Sequence, residues 1–300
     1  MNASTPSPVS RKGIAARAVA RTAHAGQRAV MAVVPARWRP SPVIRASFAL
    51  HGLCAAAVLT YPPSWPWSLA LIAANQGLLA VAGLIPRSRL LGPNLSRLPE
   101  RATQRGEVVL SFDDGPDPAV TPQVLDLLDR HGAKASFFFT GQRAQRHPEL
   151  VREVARRGHS VENHSDRHSN FFACYGLARY RRELARAQTR LAALTGRAPR
   201  YFRAPMGLRN PLLEPALAGA GLRLVSWTRR GYDSVTGDPA LVLARLTRGL
   251  AAGDVLLLHD GGSARTRDGR PVVLDVLPAL LERLKALGLR SVSLPMACED

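Results

Sequence analysis

Cysteine, lysine and acidic residues are scarce or unevenly placed in this sequence. Its 300 residues include three cysteines, which are far apart and form no CxxC pair. A disulfide framework and a zinc site built from thiolates are therefore both excluded. Lysine occurs only three times, so that 38 of the 41 basic residues are arginine. No acidic residue precedes Glu100, and this absence separates the first third of the chain from the rest.

The charge of the chain follows from that uneven distribution. The formal net charge is +19, and the first 99 residues contribute eleven basic side chains without any acid. We predict a basic N-terminal tail over residues 1–42, either helical on an anionic membrane surface or a disordered, solvated segment. The arginines are dispersed and no nucleic-acid-binding motif occurs, so we expect no nucleic-acid partner. The sequence also indicates no obligate protein partner.

A charge-free run from Ala46 to Pro86 predicts a membrane-associated helical hairpin over residues 43–86. Prolines near the centre of the run divide it into two apolar arms. The second arm, Trp67–Ile85, approaches the roughly 20 residues that a helix needs to cross a bilayer. The first arm, Ala46–Thr60, is shorter and has His51 at its centre, so one span and two spans both remain open.

The positions of the arginines predict the orientation of this hairpin. They flank both arms, whereas the turn between the arms carries no charge. Because cytoplasmic loops are rich in arginine, a two-span hairpin places both of its ends in the cytoplasm. A single span would instead place the residues after 86 outside. We expect a protein of a bacterial-type inner membrane whose C-terminal domain lies on the cytoplasmic side rather than outside.

Beyond a linker at residues 87–104, short β-rich runs alternate with helical stretches. Seven strands are predicted, at Glu107–Phe112, Ala135–Thr140, Ser160–His164, Tyr201–Arg203, Arg223–Trp227, Val255–His259 and Ser291–Leu294. Six helices lie between them, at Thr121–His131, Pro148–Arg157, Leu177–Leu194, Pro211–Ala220, Pro239–Ala252 and Pro271–Leu287. This alternation indicates an α/β domain over residues 105–295. Since the domain is short for a full barrel of about 250 residues, we predict a distorted, shortened (β/α) barrel.

Polar side chains with catalytic potential follow five of the predicted strands. They are Asp113 and Asp114 after the first strand, His164 and His168 after the third, Arg203 after the fourth, Asp233 after the fifth and His259 at the end of the sixth. Because parallel strands present their C-terminal ends at one rim, we expect these side chains to form a single site. One carboxylate and two histidines form a metal-binding set that leaves positions open for water and substrate. The second carboxylate, held ionised by Arg203, is suited to accept a proton, and His259, oriented by Asp233, is suited to donate one.

The same residues resemble the five motifs of the NodB-homology polysaccharide deacetylases, carbohydrate esterase family 4. The similar segments, in family order, are Ser111–Pro116, His164–His168, Arg203–Gly207, the surroundings of Asp233, and Leu256–Asp260. The resemblance implies a NodB-like distorted barrel over residues 105–295. It also implies that Asp113 is the general base and that His259, tuned by Asp233, is the general acid. The metal ligands that it implies are Asp114, His164 and His168.

The function predicted from these motifs is that of a metal-dependent hydrolase that removes an acetyl or formyl group from the nitrogen of an amino sugar. We expect a divalent metal, with Zn2+ preferred, since such an ion polarises the acyl carbonyl. The sugar belongs to a polysaccharide or to a lipid-linked glycan, and a cytoplasmic domain favours the lipid-linked form. The alternative is a catalytically silent carbohydrate-binding membrane protein of the same fold. Met206, Ser234 and the basic segment 228–231 depart from the family pattern of the substrate groove.

Overall fold

Two long apolar helices precede the α/β part of the chain in a computed structural model that describes residues 36–298. Helix α1 spans Pro42–Thr60, a short 3-10 turn spans Pro62–Ser64, and helix α2 spans Trp65–Leu84. Both helices are long and apolar enough to cross a membrane, by length and composition. Residues 1–35 of the predicted basic tail lie outside the described residues.

Helix α1 is four residues longer than the predicted first arm, because its N-terminus is capped outside the charge-free run. The Ser41 side chain accepts a hydrogen bond from the backbone N–H of Ile44, and Pro42 occupies the first turn. Inside the hairpin, the polar side chains of the two helices pair with each other. Asn75 donates to the Ser47 hydroxyl at 2.8 Å, and Gln76 lies 3.2 Å from Nε2 of His51. His51 therefore has partners within the hairpin, although it lies in an apolar helix.

The open end of this hairpin is docked on the rest of the chain. We call residues 36–44 and 79–94 the hairpin base. Ile44, Leu79, Ala82 and Leu91 of the hairpin base form a small buried cluster. Gly83 accepts a backbone hydrogen bond from Arg209 at 3.1 Å, and a Cβ at Gly83 would collide with the carbonyl of Arg209.

A parallel sheet of eight strands forms the centre of the remaining chain. The strands are β1 Glu107–Asp113, β2 Ala135–Phe139, β3 Ser160–Asn163, β4 Tyr201–Phe202, β5 Arg223–Leu224, β6 Arg229–Arg230, β7 Val255–His259 and β8 Arg290–Ser291. Seven of them follow the order β5-β4-β3-β2-β1-β7-β6, and β8 pairs with the start of β1. Within the described residues the edge strands β5 and β6 do not pair, so the sheet stays open. The prediction of a shortened, distorted α/β barrel is confirmed.

Nine further helices complete the fold. They are α3 Glu100–Gln104, α4 Thr121–Arg130, α5 Gly141–Arg146, α6 Pro148–Arg156, α7 Leu177–Thr195, α8 Leu213–Gly219, α9 Pro239–Thr247, α10 Val272–Ala286 and α11 Leu294–Cys298 among the described residues. The largest buried cluster joins β1, β2 and β7 to α4, α6, α9 and α10. Strand β1 is buried along its whole length, because both of its faces are covered.

Some predicted elements were wrong in number or extent. Arg229 and Arg230 form an eighth strand, β6, between the predicted strand Arg223–Trp227 and the predicted helix Pro239–Ala252. Three short helices, α3, α5 and α11, were not predicted, and Leu294 begins α11 rather than ending a strand. Helix α9 ends at Thr247 because Gly249 adopts a left-handed φ of 66°, which stops the helix five residues before the predicted end.

The segment predicted as a linker, residues 87–104, packs against the α/β domain. The backbone of Leu95 forms a parallel bridge with Val225, immediately after β5. Leu98 donates a backbone hydrogen bond to Gly253 at 2.8 Å. Helix α3 then leads into β1, so this segment connects the hairpin base to the sheet through its own contacts.

Candidate active site and metal centre

Strand register gathers the candidate residues at one rim of the sheet. Asp113 at the end of β1 is the register partner of His259 at the end of β7. On the other side of β1, the end of β3 is paired with β2 and with β4. His164 and Arg203 are the residues that directly follow β3 and β4. The C-terminal strand ends therefore meet around one small pocket of about 100 Å³.

Asp114, His164 and His168 bring three ligand atoms together. Oδ1 of Asp114 lies 3.2 Å from Nε2 of His164 and 3.1 Å from Nε2 of His168. This buried oxygen has no hydrogen-bond partner. The three atoms lie within 4.8 Å of one another, which is a spacing that could hold a metal ion. Asp114 and His168 both have left-handed backbone φ values, 68° and 52°, and such strain is common where a site fixes side chains.

Hydrogen bonds, burial and neighbouring charges affect how these three side chains can act as metal ligands. Nδ1 of His164 lies 2.8 Å from the carbonyl oxygen of Arg203. A carbonyl only accepts, so Nδ1 donates, and in the neutral ring Nε2 keeps its lone pair for a metal. Burial and the neighbouring His164 lower the pKa of His168, which favours its neutral form. Burial raises the pKa of Asp114, but the nearby His164, His168 and His259 outweigh burial and hold that pKa well below its usual range.

Asp113 is held by a fully buried arginine. Arg203 donates to Oδ1 of Asp113 at 2.7 Å and to the Ser111 hydroxyl at 2.9 Å. Its second terminal nitrogen donates to the Ser226 carbonyl at 3.0 Å, and its guanidinium lies 4.1 Å from the centre of the Phe138 ring. Arg203 thus fixes one carboxylate oxygen of Asp113, while Oδ2 lies 3.9 Å from Nε2 of His164.

His259 stands on the other side of the pocket and is held by Asp233. Nδ1 of His259 donates to Oδ1 of Asp233 at 2.9 Å, and the backbone N–H of His259 donates to Oδ2 at 2.7 Å. Asp233 is completely buried. Burial lowers the pKa of His259, but the Asp233 carboxylate outweighs burial and raises the pKa above its ordinary value. This arrangement favours a protonated imidazole that faces the pocket.

Asp260, for which the sequence predicts no role, is completely buried beside Gly115, the residue that follows Asp114. Oδ2 of Asp260 accepts a hydrogen bond from Thr121 at 2.6 Å, and Oδ1 is buried without a partner. Burial, together with the charges of Asp114 and Asp113, raises the pKa of Asp260 to about 7. A Cβ at Gly115 would collide with this carboxyl group. A carboxylate directly after the histidine of β7 was the only sequence signal for this position.

The pocket also has a basic and aromatic wall that the predicted site lacked. Trp227, Arg230, Met206 and Ser234 line it beside the candidate catalytic residues. Gly207, another lining residue, leaves no room for a Cβ because Trp227 and Pro86 are too close. Since Pro86 belongs to the hairpin base, the pocket lies directly beside the end of the apolar hairpin.

Comparison with known proteins agrees with this geometry and assigns the class. Residues 100–225 match the family described as polysaccharide deacetylase. The chain belongs to this family, as the five motifs indicated. Among its relatives is a chitooligosaccharide deacetylase of Sinorhizobium fredii, 37% identical over 169 residues, which are 56% of this chain and 78% of the relative.

Two peptidoglycan deacetylases extend the comparison to a solved structure. A peptidoglycan-N-acetylglucosamine deacetylase of Bacillus cereus is 32% identical over 188 residues, which are 62% of this chain and 85% of the relative. A crystal structure of a peptidoglycan N-acetylglucosamine deacetylase superposes with a TM-score of 0.62 at 28% identity. That match covers 69% of this chain and 92% of the solved chain. The NodB-like fold of the α/β part is thereby confirmed.

Proposed function

We propose that the protein is a membrane-anchored, metal-dependent hydrolase that removes an N-acyl group, acetyl or formyl, from an amino sugar. The observation that carries this proposal is the placement of a three-ligand set between two proton-transfer groups in one pocket. Asp113 lies on one side of Asp114, and His259 lines the same pocket from β7. Membership in the polysaccharide deacetylase family supports the same reaction.

The donor set fits a divalent metal, which we propose to be Zn2+. One carboxylate and two imidazoles are ligands that zinc accepts, and three protein ligands leave room for water and substrate. The unpartnered Oδ1 of Asp114 supports this fit, as does the hydrogen bond from Nδ1 of His164 to the Arg203 carbonyl, which turns Nε2 toward Asp114. His168 completes the proposed set. When bound, the ion would polarise the acyl carbonyl and make a nearby water more acidic.

The chain's own residues would move the protons. Asp113, fixed by Arg203, is placed to accept a proton from the attacking water as general base. His259, protonated and held by Asp233, is placed to donate a proton to the departing amine as general acid. The products are a free amino sugar and acetate or formate. Arg203 and Asp233 act through their partners and are therefore positioning residues.

The hairpin supports the membrane part of the proposal. Many of its apolar side chains are exposed, including Leu53, Leu59, Trp67 and Leu71, whereas Asn75 and Gln76 of α2 pair with Ser47 and His51 of α1. We propose that α1 and α2 span a bacterial-type inner membrane twice and that the α/β domain lies on the cytoplasmic side. We also propose the division into a basic tail at residues 1–42, a hairpin at 43–86, a connecting segment at 87–104 and a deacetylase domain at 105–295.

The central experiment measures acyl release by the purified, zinc-loaded full chain in detergent. N-acetylglucosamine oligosaccharides and a lipid-linked N-acetylated sugar serve as substrates. We expect acetate release that Asp113→Asn abolishes without loss of zinc. Asp117→Asn is the matched control, because Asp117 caps backbone N–H groups at Ala119 and Val120 and does not line the pocket. Zinc binding without release of any acyl group would favour the carbohydrate-binding alternative.

A second experiment tests the proposed orientation. A reporter that is active only outside the inner membrane, and one that fluoresces only inside, are each fused after Asp300. Fluorescence without external activity is expected for a two-span hairpin. External activity would contradict the cytoplasmic placement and would direct the substrate search to cell-wall or secreted polysaccharides.

A further inference from the structure

The two arginines of β6 have different surroundings. Nε of Arg229 donates to Asp254 at 2.8 Å, and the terminal nitrogens of Arg229 donate to the carbonyls of Arg248 and Gly249. Arg230 instead lines the catalytic pocket. Neighbouring strand residues point to opposite faces, which explains this division. Arg229 therefore stabilises the sheet edge, whereas the charge of Arg230 is available to the pocket.

Arg230 is held in place by aromatic rings. Its guanidinium carbon lies 5.3 Å from the centre of the Trp227 ring and 4.7 Å from that of the Tyr232 ring. Its Nε is buried and has no hydrogen-bond partner. Stacking restricts the side chain and leaves hydrogen-bond donors unused, so less conformational entropy is lost when an acceptor binds.

No carboxylate neutralises Arg230 within residues 36–298. Three carboxylates of the site have other partners: Asp113 pairs with Arg203, Asp233 pairs with His259, and Asp114 faces the two histidines. A buried or half-buried cation without a counterion lowers the free energy of any anion that reaches it. The guanidinium of Arg230 can therefore donate hydrogen bonds to negatively charged oxygen atoms in the pocket, close to the proposed reaction centre.

We propose that Arg230 is a specificity-determining residue that binds an anionic oxygen group, phosphate or carboxylate, carried by the amino sugar that is deacylated. This inference rests on the proposed function and names the substrate class for the same pocket. The guanidinium fork matches the geometry of both groups, and such charge-assisted pairs are stronger than neutral hydrogen bonds. Because the pocket is small, the anion must lie on the acylated sugar or next to it.

The two sources of such an anion differ in where they reside. The hairpin base borders the pocket wall, since Arg87 donates to the carbonyl of Thr228 at 3.4 Å and Pro86 lies against Gly207. A sugar joined to a lipid carrier through phosphate would therefore reach Arg230 from the membrane surface. A carboxylate-bearing sugar would reach it from the aqueous side.

The test compares four N-acetylated substrates with the zinc-loaded full chain in detergent. They are the neutral methyl glycoside of N-acetylglucosamine, N-acetylglucosamine 1-phosphate, its dodecyl phosphodiester and N-acetylmuramic acid. The variants are Arg230→Gln and Arg230→Lys. Arg245→Gln is the matched control, because the Arg245 guanidinium also lies near the Tyr232 ring, at 5.4 Å, but does not line the pocket.

We expect the wild-type chain to prefer at least one anionic substrate, with a kcat/KM about 10- to 100-fold above that for the neutral glycoside. Arg230→Gln should lower kcat/KM through KM much more for the anionic substrates than for the neutral glycoside. Arg230→Lys should retain part of the preference, and Arg245→Gln should retain all of it. Preference for the phosphodiester identifies a lipid carrier, and preference for the muramic acid identifies a sugar carboxylate.

Equal rates on neutral and anionic substrates would overturn the proposal, as would an equal loss on both in Arg230→Gln. Calorimetric binding of N-acetylglucosamine 1-phosphate provides a readout that needs no turnover. If no substrate releases acetate, the proposed function fails. Phosphate binding that depends on Arg230 would then still support the anion site, and the absence of such dependence would refute it.

Discussion

Replacing Asp233 by asparagine isolates the part of catalysis that depends on the charge behind His259. Ionised Asp233 accepts two hydrogen bonds, one from the ring nitrogen and one from the backbone N–H of His259. An asparagine of the same shape has one acceptor and one donor end, so it can satisfy only one of these N–H groups. The protonated imidazole loses its counterion in a fully buried position.

The expected loss of kcat in the Asp233→Asn variant follows from the lost hydrogen bond to a charged carboxylate. A hydrogen bond to a charged group contributes about 1.5–3 kcal/mol, which corresponds to a fall in kcat of about 10- to 150-fold. KM should change little, because Asp233 does not line the pocket. Asp233 raises the pKa of His259, and a general acid must be protonated to act. The alkaline limb of the kcat profile should therefore move to lower pH in the variant.

The assay is steady-state acetate release between pH 5 and 10, with the zinc content measured for each preparation. Asp238→Asn is the matched control, since Asp238 caps α9 through the N–H groups of Ala240 and Leu241 and asparagine caps equally well. An Asp233→Asn variant that retains zinc, loses less than about threefold in kcat and keeps its alkaline limb would refute the role of Asp233.

Three further perturbations test the buried charges of the site. Arg203→Met should lower the free energy of unfolding, measured in urea, by about 3–5 kcal/mol, because Asp113 is left buried without its partner. Adding Asp113→Asn should restore most of this loss. A double variant as unstable as Arg203→Met would contradict the pairing. Asp114→Ser should weaken zinc affinity by more than about 100-fold in a metal competition assay while the circular dichroism spectrum stays unchanged. Burial raises the pKa of Asp260 to about 7, so the metal-free native state keeps a proton that the unfolded chain releases. The free energy of unfolding should therefore fall by about 3 kcal/mol as the pH rises from about 4 to about 7. Asp260→Asn should flatten this pH dependence, and an unchanged slope would count against the raised pKa.

The sequence was most informative where local pattern and chemistry coincide. Strand β1 is a continuous apolar run that ends in two carboxylates, and the structure contains it almost as predicted. Strand ends alone were sufficient to expect that Asp113, His164, Arg203 and His259 would meet, because a parallel sheet has one C-terminal rim. The structure places all four around the same pocket or directly behind it.

Features that depend on distant contacts could not be predicted from the sequence. Strand β6 consists of Arg229 and Arg230, which have no apolar pattern, and it exists because its backbone pairs with β7. Buried Asp260 accepts a hydrogen bond from Thr121, which is 139 residues away in the sequence, so no local pattern indicates its surroundings. Likewise, the contact between Gly83 and Arg209 joins segments that share no local signal.

The bridge between Leu95 and Val225 determines where the chain can be shortened. Leu95 accepts a backbone hydrogen bond from Ser226 and donates one to Leu224, so it covers the outer edge next to β5. A truncated chain that begins at residue 105 would expose these strand groups to edge-to-edge association with a second chain. A chain that begins near Arg87 keeps the edge covered, and it therefore offers the better route to a soluble catalytic fragment that resists aggregation.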